Sequence, residues 1–224
     1  NKTMKNPLKS ISEFLGVAAR AAARYPLTIS LLVAATAVCW IQIVSESGDL
    51  IYAKALSSLL VGAALGIAAQ AIAESLEYRI HSRALGMAAA FLFAAVFFIL
   101  FLPVSIYAPQ IPIRAACLII GAVILFVWIP AFRAPLTFHR IFVIHLKALL
   151  TAVLYSAVLS IGLSVIIFSV NALLIPVDSK AYFLCLSIVW ILFAPLSYLS
   201  FLPEKSAEEG NRPPEKEFVY LRRS

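Results

Sequence analysis

The sequence predicts an all-α integral membrane protein, a six-transmembrane-helix bundle with an N-terminal amphipathic interfacial helix. Three observations carry that prediction. Hydrophobic residues make up 62% of the 224-residue chain and charged residues 13%, against about 45–50% and about 25% in soluble domains. The apolar residues collect in long unbroken runs. Most lysines and arginines fall between those runs on one side. A compact soluble chain of this length still exposes much side-chain surface to water. With a mean hydropathy of +0.97, the surrounding solvent must be largely lipid.

A hydrocarbon core about 30 Å thick needs roughly 20 apolar residues as helix. Six runs qualify: Leu27–Val44, Ala55–Ala73, Ala84–Ile106, Ala115–Phe132, Ala148–Ile175 and Ala181–Leu202. They are continuous rather than alternating at every second residue, which specifies helices and not the strands of a barrel. The fourth is short and the fifth long, so the fifth tilts or extends past the headgroups. The chain divides into a cytoplasmic N-terminal segment (1–26), a transmembrane domain (27–203) and a polar tail (204–224), read as disordered.

Sidedness follows from the cations. Lys2, Lys5, Lys9, Arg20 and Arg24 precede the first run, and Arg79 and Arg83 lie in the second connection. Arg133, Arg140 and Lys147 lie in or beside the fourth, and Lys205, Arg212, Lys216, Arg222 and Arg223 follow the last run. That places fifteen of the eighteen on one side and leaves only Lys54, Arg114 and Lys180 on the other. The positive-inside rule then puts both termini in the cytoplasm of a multi-pass protein of the cytoplasmic (inner) membrane. The net charge of +7 is directed at anionic lipid headgroups rather than nucleic acid. Ala35-Thr36-Ala37 offers a small-Xaa-small cleavage pattern, but the apolar run continues through Val44, which reads as a retained helix.

Within residues 8–24, Leu8, Ile11, Phe14, Leu15, Ala18 and Ala22 share one helical face while Lys9, Glu13, Arg20 and Arg24 line the other. Asn6-Pro7 supplies a cap and a first-turn proline. This is the pattern of a helix lying in the headgroup layer, and equally of a partner-binding helix. Lys9, Arg20, Arg24, Arg140 and Lys147 are the candidate headgroup contacts.

Lipid tails are as apolar as leucine, so spans associate through close packing and a few polar contacts. Ser58, Gly62, Gly66 and Gln70 recur every fourth residue in the second run, as do Ala148, Ala152, Ser156, Ser160 and Ser164 in the fifth. Such faces admit another backbone closely; the alternative is that they line a substrate path. Pro195 falls inside the last run, where it removes a backbone hydrogen bond and predicts a kink. Arg24–Thr28 (RYPLT) and Arg133–Thr137 (RAPLT) echo each other before spans of the same direction. Either a duplication or independent use of an interfacial arginine and a helix-start proline accounts for that echo.

Chemistry is scarce. His139 and His145 are six apart, so on one helix they diverge by roughly 120°; ligands sharing a face need a spacing of three or four. They read as the polar boundary of a helix foot, with Arg140 and Lys147 reaching for phosphates. The alternative is a site built with Glu74, Glu77 or His81 of the second connection. Cys39, Cys117 and Cys185 each lie in an apolar run and read as buried free thiols. No nucleotide-binding, nucleophile-elbow or paired-carboxylate pattern occurs, and neither a cofactor nor a metal is expected. No charged residue or histidine falls deep in the six runs; the deepest polar side chains read as Gln42, Gln70, Asn171 and serines.

From His139 to Pro203 the text carries His145-Leu146-Lys147 at a helix base and Gly162-Leu163 in mid-span. An acidic-Ser-Lys-x-Tyr turn at Asp178–Tyr182 follows, then Phe193-Ala194-Pro195 and Leu202-Pro203. These features resemble the bacterial polytopic membrane family catalogued as domain of unknown function 4153. The resemblance implies a bacterial cytoplasmic membrane, supplies no activity or catalytic position, and implies members longer than this chain. The expectation is therefore a non-enzymatic module that packs against other membrane helices: its own missing C-terminal half, a second copy, or a partner complex. The alternatives are a carrier component for an uncharged or lipid-like substrate, then a membrane enzyme with a cytoplasmic-side site.

Overall fold

The computed structural model describes residues 24–45, 49–75, 80–101, 110–133, 138–173 and 176–202, apart from some side chains at helix ends. The interfacial segment with Lys9 and Arg20, and the tail from residue 203, lie outside the described residues. Among those described the chain is all-helical: α1 (Pro26–Ser45), α2 (Leu50–Ser75), α3 (Ile80–Phe101), α4 (Gln110–Arg133) and α5 (Phe138–Leu173). The final span is α6 (Lys180–Ser187), a π-helical turn (Ile188–Phe193) and α7 (Ala194–Ser200).

Five helices are long and apolar enough to cross a membrane; in α3 the described apolar stretch is the shorter Gly86–Leu100. The large apolar side chains point outward, Ile161 66% and Phe168 63% exposed. Soluble monomers rarely carry apolar patches of such extent. The described helices are those of a multi-pass membrane protein.

Local chemistry sets the helix ends. Pro26 opens α1, where its missing N–H costs nothing, and Ile29 N–H donates to the Tyr25 carbonyl at 3.1 Å to close the first turn. Between α5 and α6 two side chains tie the turn. Asn171 Oδ1 accepts from Val177 N–H at 2.8 Å, and Asp178 Oδ1 accepts from Lys180 N–H at 3.1 Å. The acidic-Ser-Lys-x-Tyr pattern is thus the start signal of the last span. Asn171 corrects the sequence reading: α5 ends at Leu173, so this residue is an exposed cap at the span's edge and not a deep polar group.

The kink expected at Pro195 takes the form of the π turn directly before it. Ala194 N–H reaches back five residues, to the Val189 carbonyl. A proline ring collides with the carbonyl four residues earlier in a regular α-helix, and widening the preceding turn makes room for it.

α2 lies at the centre, packed against α1, α3 and α4. α5 and α7 form a second group, joined to the first through α1 against α6 and the π turn, and through α4 against α5. Leu31, Leu32 and Ala63 form the α1–α2 core, with Ile191 and Leu192 of the π turn packed on it. Val61, Phe97 and Ala115 join α2, α3 and α4. The three cysteines are free but none is buried, and Cys117 is exposed; α4 turns it outward, where a thiol is tolerated because its surroundings are apolar.

Candidate functional site at the helix seams

The first ladder lies inside the bundle. Ser58 is buried and its hydroxyl donates to the Ala55 carbonyl at 2.8 Å. A Cβ built on Gly62 would meet the Ala94 methyl at 2.6 Å and Leu31 Cδ1 at 3.4 Å. On Gly66 it would meet Thr28 Oγ1 at 3.1 Å. The glycines therefore let α2 approach α3 on one side and α1 on the other. Gln70, also buried, donates from Nε2 to the Arg24 carbonyl at 3.0 Å. Beside it lies a shallow notch between Tyr25, Thr28, Gly66, Gln70 and Met87, with no room for a water molecule.

The second ladder faces inward too. Ala148, Ala152, Ser156 and Ser160 are buried and Ser164 is half-buried. The extensive neighbour of α5 is α7, and Tyr155 meets Phe201 with ring centroids 5.8 Å apart. Unlike Ser58, the Ser156 and Ser160 hydroxyls have no hydrogen-bond partner among the described residues, and neither does Ser197 of α7.

The candidate headgroup cations are less gathered. The Arg24 guanidinium lies 5.3 Å from the Tyr25 ring centroid, just before α1. Lys147 is exposed on α5, its carbonyl accepting from Thr151 Oγ1 at 2.8 Å. Arg140 lies on the same helix, its side chain outside the described residues. The two histidines go separate ways: His139 is exposed, while His145 is half-buried with Nδ1 2.9 Å from the Ile141 carbonyl. Its ring stands edge-on to Phe126 at 5.4 Å, and Phe126 meets Tyr198 at 6.3 Å. His145 thus belongs to an aromatic row that crosses α4, α5 and α7. Among the described residues no three His, Cys, Asp or Glu side chains gather as metal ligands. Glu77 and the side chains of Glu74 and His81 lie outside them.

Three residues escaped the sequence reading. Lys54, placed there on the outer rim, is 6% exposed and lies within α2, which begins at Leu50 and packs against three other helices. Thr28 is 1% exposed and donates from Oγ1 to the Ala63 carbonyl at 3.4 Å. Trp40 donates from Nε1 to Ser187 Oγ at 2.9 Å, tying α1 to the last span just before the π turn. The small residues at 63 and 187 were visible in the sequence, but nothing there said which helix each one met.

An all-helical bundle with small-residue seams inside and leucine, isoleucine and phenylalanine outside defines a polytopic α-helical membrane protein. More particularly, the chain belongs to the family described as Domain of unknown function (DUF4153), which matches residues 27–221. The match reaches well beyond residues 139–203, where the resemblance was legible, and takes in α1 to α4 as well. Comparison with curated proteins and with solved structures returned no match.

Proposed function

We propose that this chain is a non-enzymatic membrane module whose task is to pack against further membrane helices. Its setting is a cytoplasmic membrane, with six spans counting α3, both ends in the cytoplasm, and the basic rim on anionic headgroups. The six apolar runs and the one-sided distribution of lysine and arginine support that placement.

The observation that carries the reading is the length and bareness of α5. Its apolar part, Ile141–Leu173, has 33 residues, of which only Ile141, Ala148, Ala152, Ser156 and Ser160 are buried. At about 1.5 Å per residue it measures roughly 50 Å. To lie wholly inside a core about 30 Å thick it would lean by about 53°, beyond the roughly 0–40° that spans adopt. Apolar surface therefore passes the edge of the hydrocarbon, with Phe142, Val143 and Leu146 exposed at the end that starts the helix. Such surface requires cover from protein. Both small-residue ladders are engaged within the chain, which leaves the outer face of α5 as the contact.

A photo-crosslinking amino acid placed at Leu146, Leu154 or Ile161 in native membranes tests this. Protein adducts at two or more positions are expected. Lipid adducts alone, together with solute transport by the isolated chain in liposomes, would establish the second reading, a carrier component for an uncharged or lipid-like substrate. The unpartnered serine hydroxyls favour that reading. A membrane enzyme would need Glu74, Glu77 and His81, which lie beyond the described side chains.

A further inference from the structure

A serine in an apolar helix ordinarily returns its hydroxyl proton to a carbonyl three or four residues back. Ser57 does so to Ala53 at 2.8 Å, Ser169 to Val165 at 2.8 Å and Ser200 to Leu196 at 2.7 Å. Ser156, Ser160 and Ser197 are 0%, 8% and 0% exposed, and their hydroxyls make no such bond. These three belong to one place. α5 and the last span are consecutive and run antiparallel, and the Tyr155–Phe201 contact fixes their register. Ser197 is one helical turn before Phe201, so it stands at the level reached one turn after Tyr155, between Ser156 and Ser160.

Buried hydroxyls in an apolar bundle are normally satisfied by something. Residues 148–173 and 181–200 contain no Asp, Glu, Lys, Arg or His, so an ion here would lack any counter-charge, at high cost.

We propose that the seam between α5 and α7 is an occluded binding site for a small, uncharged, hydrogen-bonding molecule. Ser156, Ser160 and Ser197 are its hydroxyl partners. Water and a small polyol share this chemistry. The site stands whether or not α5 recruits a partner helix.

The test uses the full chain in detergent. Radiolytic labelling in ¹⁸O-water marks side chains beside bound water, and the Leu196–Leu199 segment of the wild-type chain is expected to take the label. The triple variant Ser156→Ala, Ser160→Ala, Ser197→Ala is expected to lose it. Each single alanine variant should unfold about 2–4 °C lower, as expected for removal of one made hydrogen bond in a chain of this size. Glycerol that raises the unfolding temperature of the wild type more than that of the triple variant assigns the site to a polyol; an equal effect assigns it to water. A seam that takes no label, or whose single variants unfold at higher temperature, overturns the proposal. The wild-type label alone decides the matter if the triple variant does not fold.

Discussion

Gly62 and Ala94 meet where only a hydrogen atom fits: an added Cβ would stand 2.6 Å from the alanine methyl. Neither group can rotate out of the way, so α2 and α3 would have to move apart. Gly62→Ala is expected to destabilise the bundle by about 1–3 kcal/mol, and Gly62→Ala with Ala94→Gly to recover most of the loss. Thermal unfolding of the two variants in detergent checks this.

Gly66 should be more forgiving. The atom nearest its built Cβ is Thr28 Oγ1 at 3.1 Å, the end of a side chain that can turn. The turn would break the 3.4 Å bond to the Ala63 carbonyl, a loss on the order of 1 kcal/mol. Gly66→Ala should therefore cost less than Gly62→Ala in the same assay, and the reverse order would contradict the packing described.

Gly162 gives the opposite case. Nothing lies within 4 Å of its built Cβ, and it sits on the bare face of α5. Gly162→Leu is expected to leave the unfolding temperature of the isolated chain within about 2 °C of wild type, as for a surface substitution. The same change should weaken the cross-linking of Ile161 to partner protein. Unchanged cross-linking would place the partner elsewhere.

The Trp40–Ser187 bond links residues 147 positions apart. Interhelical hydrogen bonds in membranes average about 0.6 kcal/mol in double-mutant cycles. A cycle with Trp40→Phe and Ser187→Ala should return a coupling of that size, whereas zero coupling would mean the bond is not made in solution.

Orientation can be read by labelling. In a background free of Cys39, Cys117 and Cys185, a reagent confined to the exterior should modify Ser179→Cys in intact cells. It should reach His139→Cys only after permeabilisation, and labelling of both without it would invert or abolish the proposed sidedness.

How far the sequence could be read depended on what periodicity encodes. Continuous apolar runs located the described helices, and a repeat of four marked the Ser58–Gln70 face. Periodicity tells which face is special but not which neighbour it meets, so Ala94 and Thr28 could not be named. Run boundaries were weaker. Starting the second run after Lys54 put that cation on the rim, although Leu50–Ala53 already continue the helix around it. Ending the fifth run at Ile175 made Asn171 look deep, when it caps a turn. Pro195 announced a kink but not a π turn, since several backbone responses to a missing N–H exist. Hydroxyl satisfaction depends on rotamer and neighbour, so Ser156 and Ser57 look alike as letters.

The Trp40–Ser187 tie also sets a timetable. A ribosome adding about 5–20 residues per second needs roughly 7–30 s to make the 147 positions between them. Throughout that interval the indole of the newborn first helix has no mate within the chain. The four-helix group around α2 can assemble meanwhile, and the contact closes late, when the helix carrying Ser187 arrives beside the one carrying Trp40.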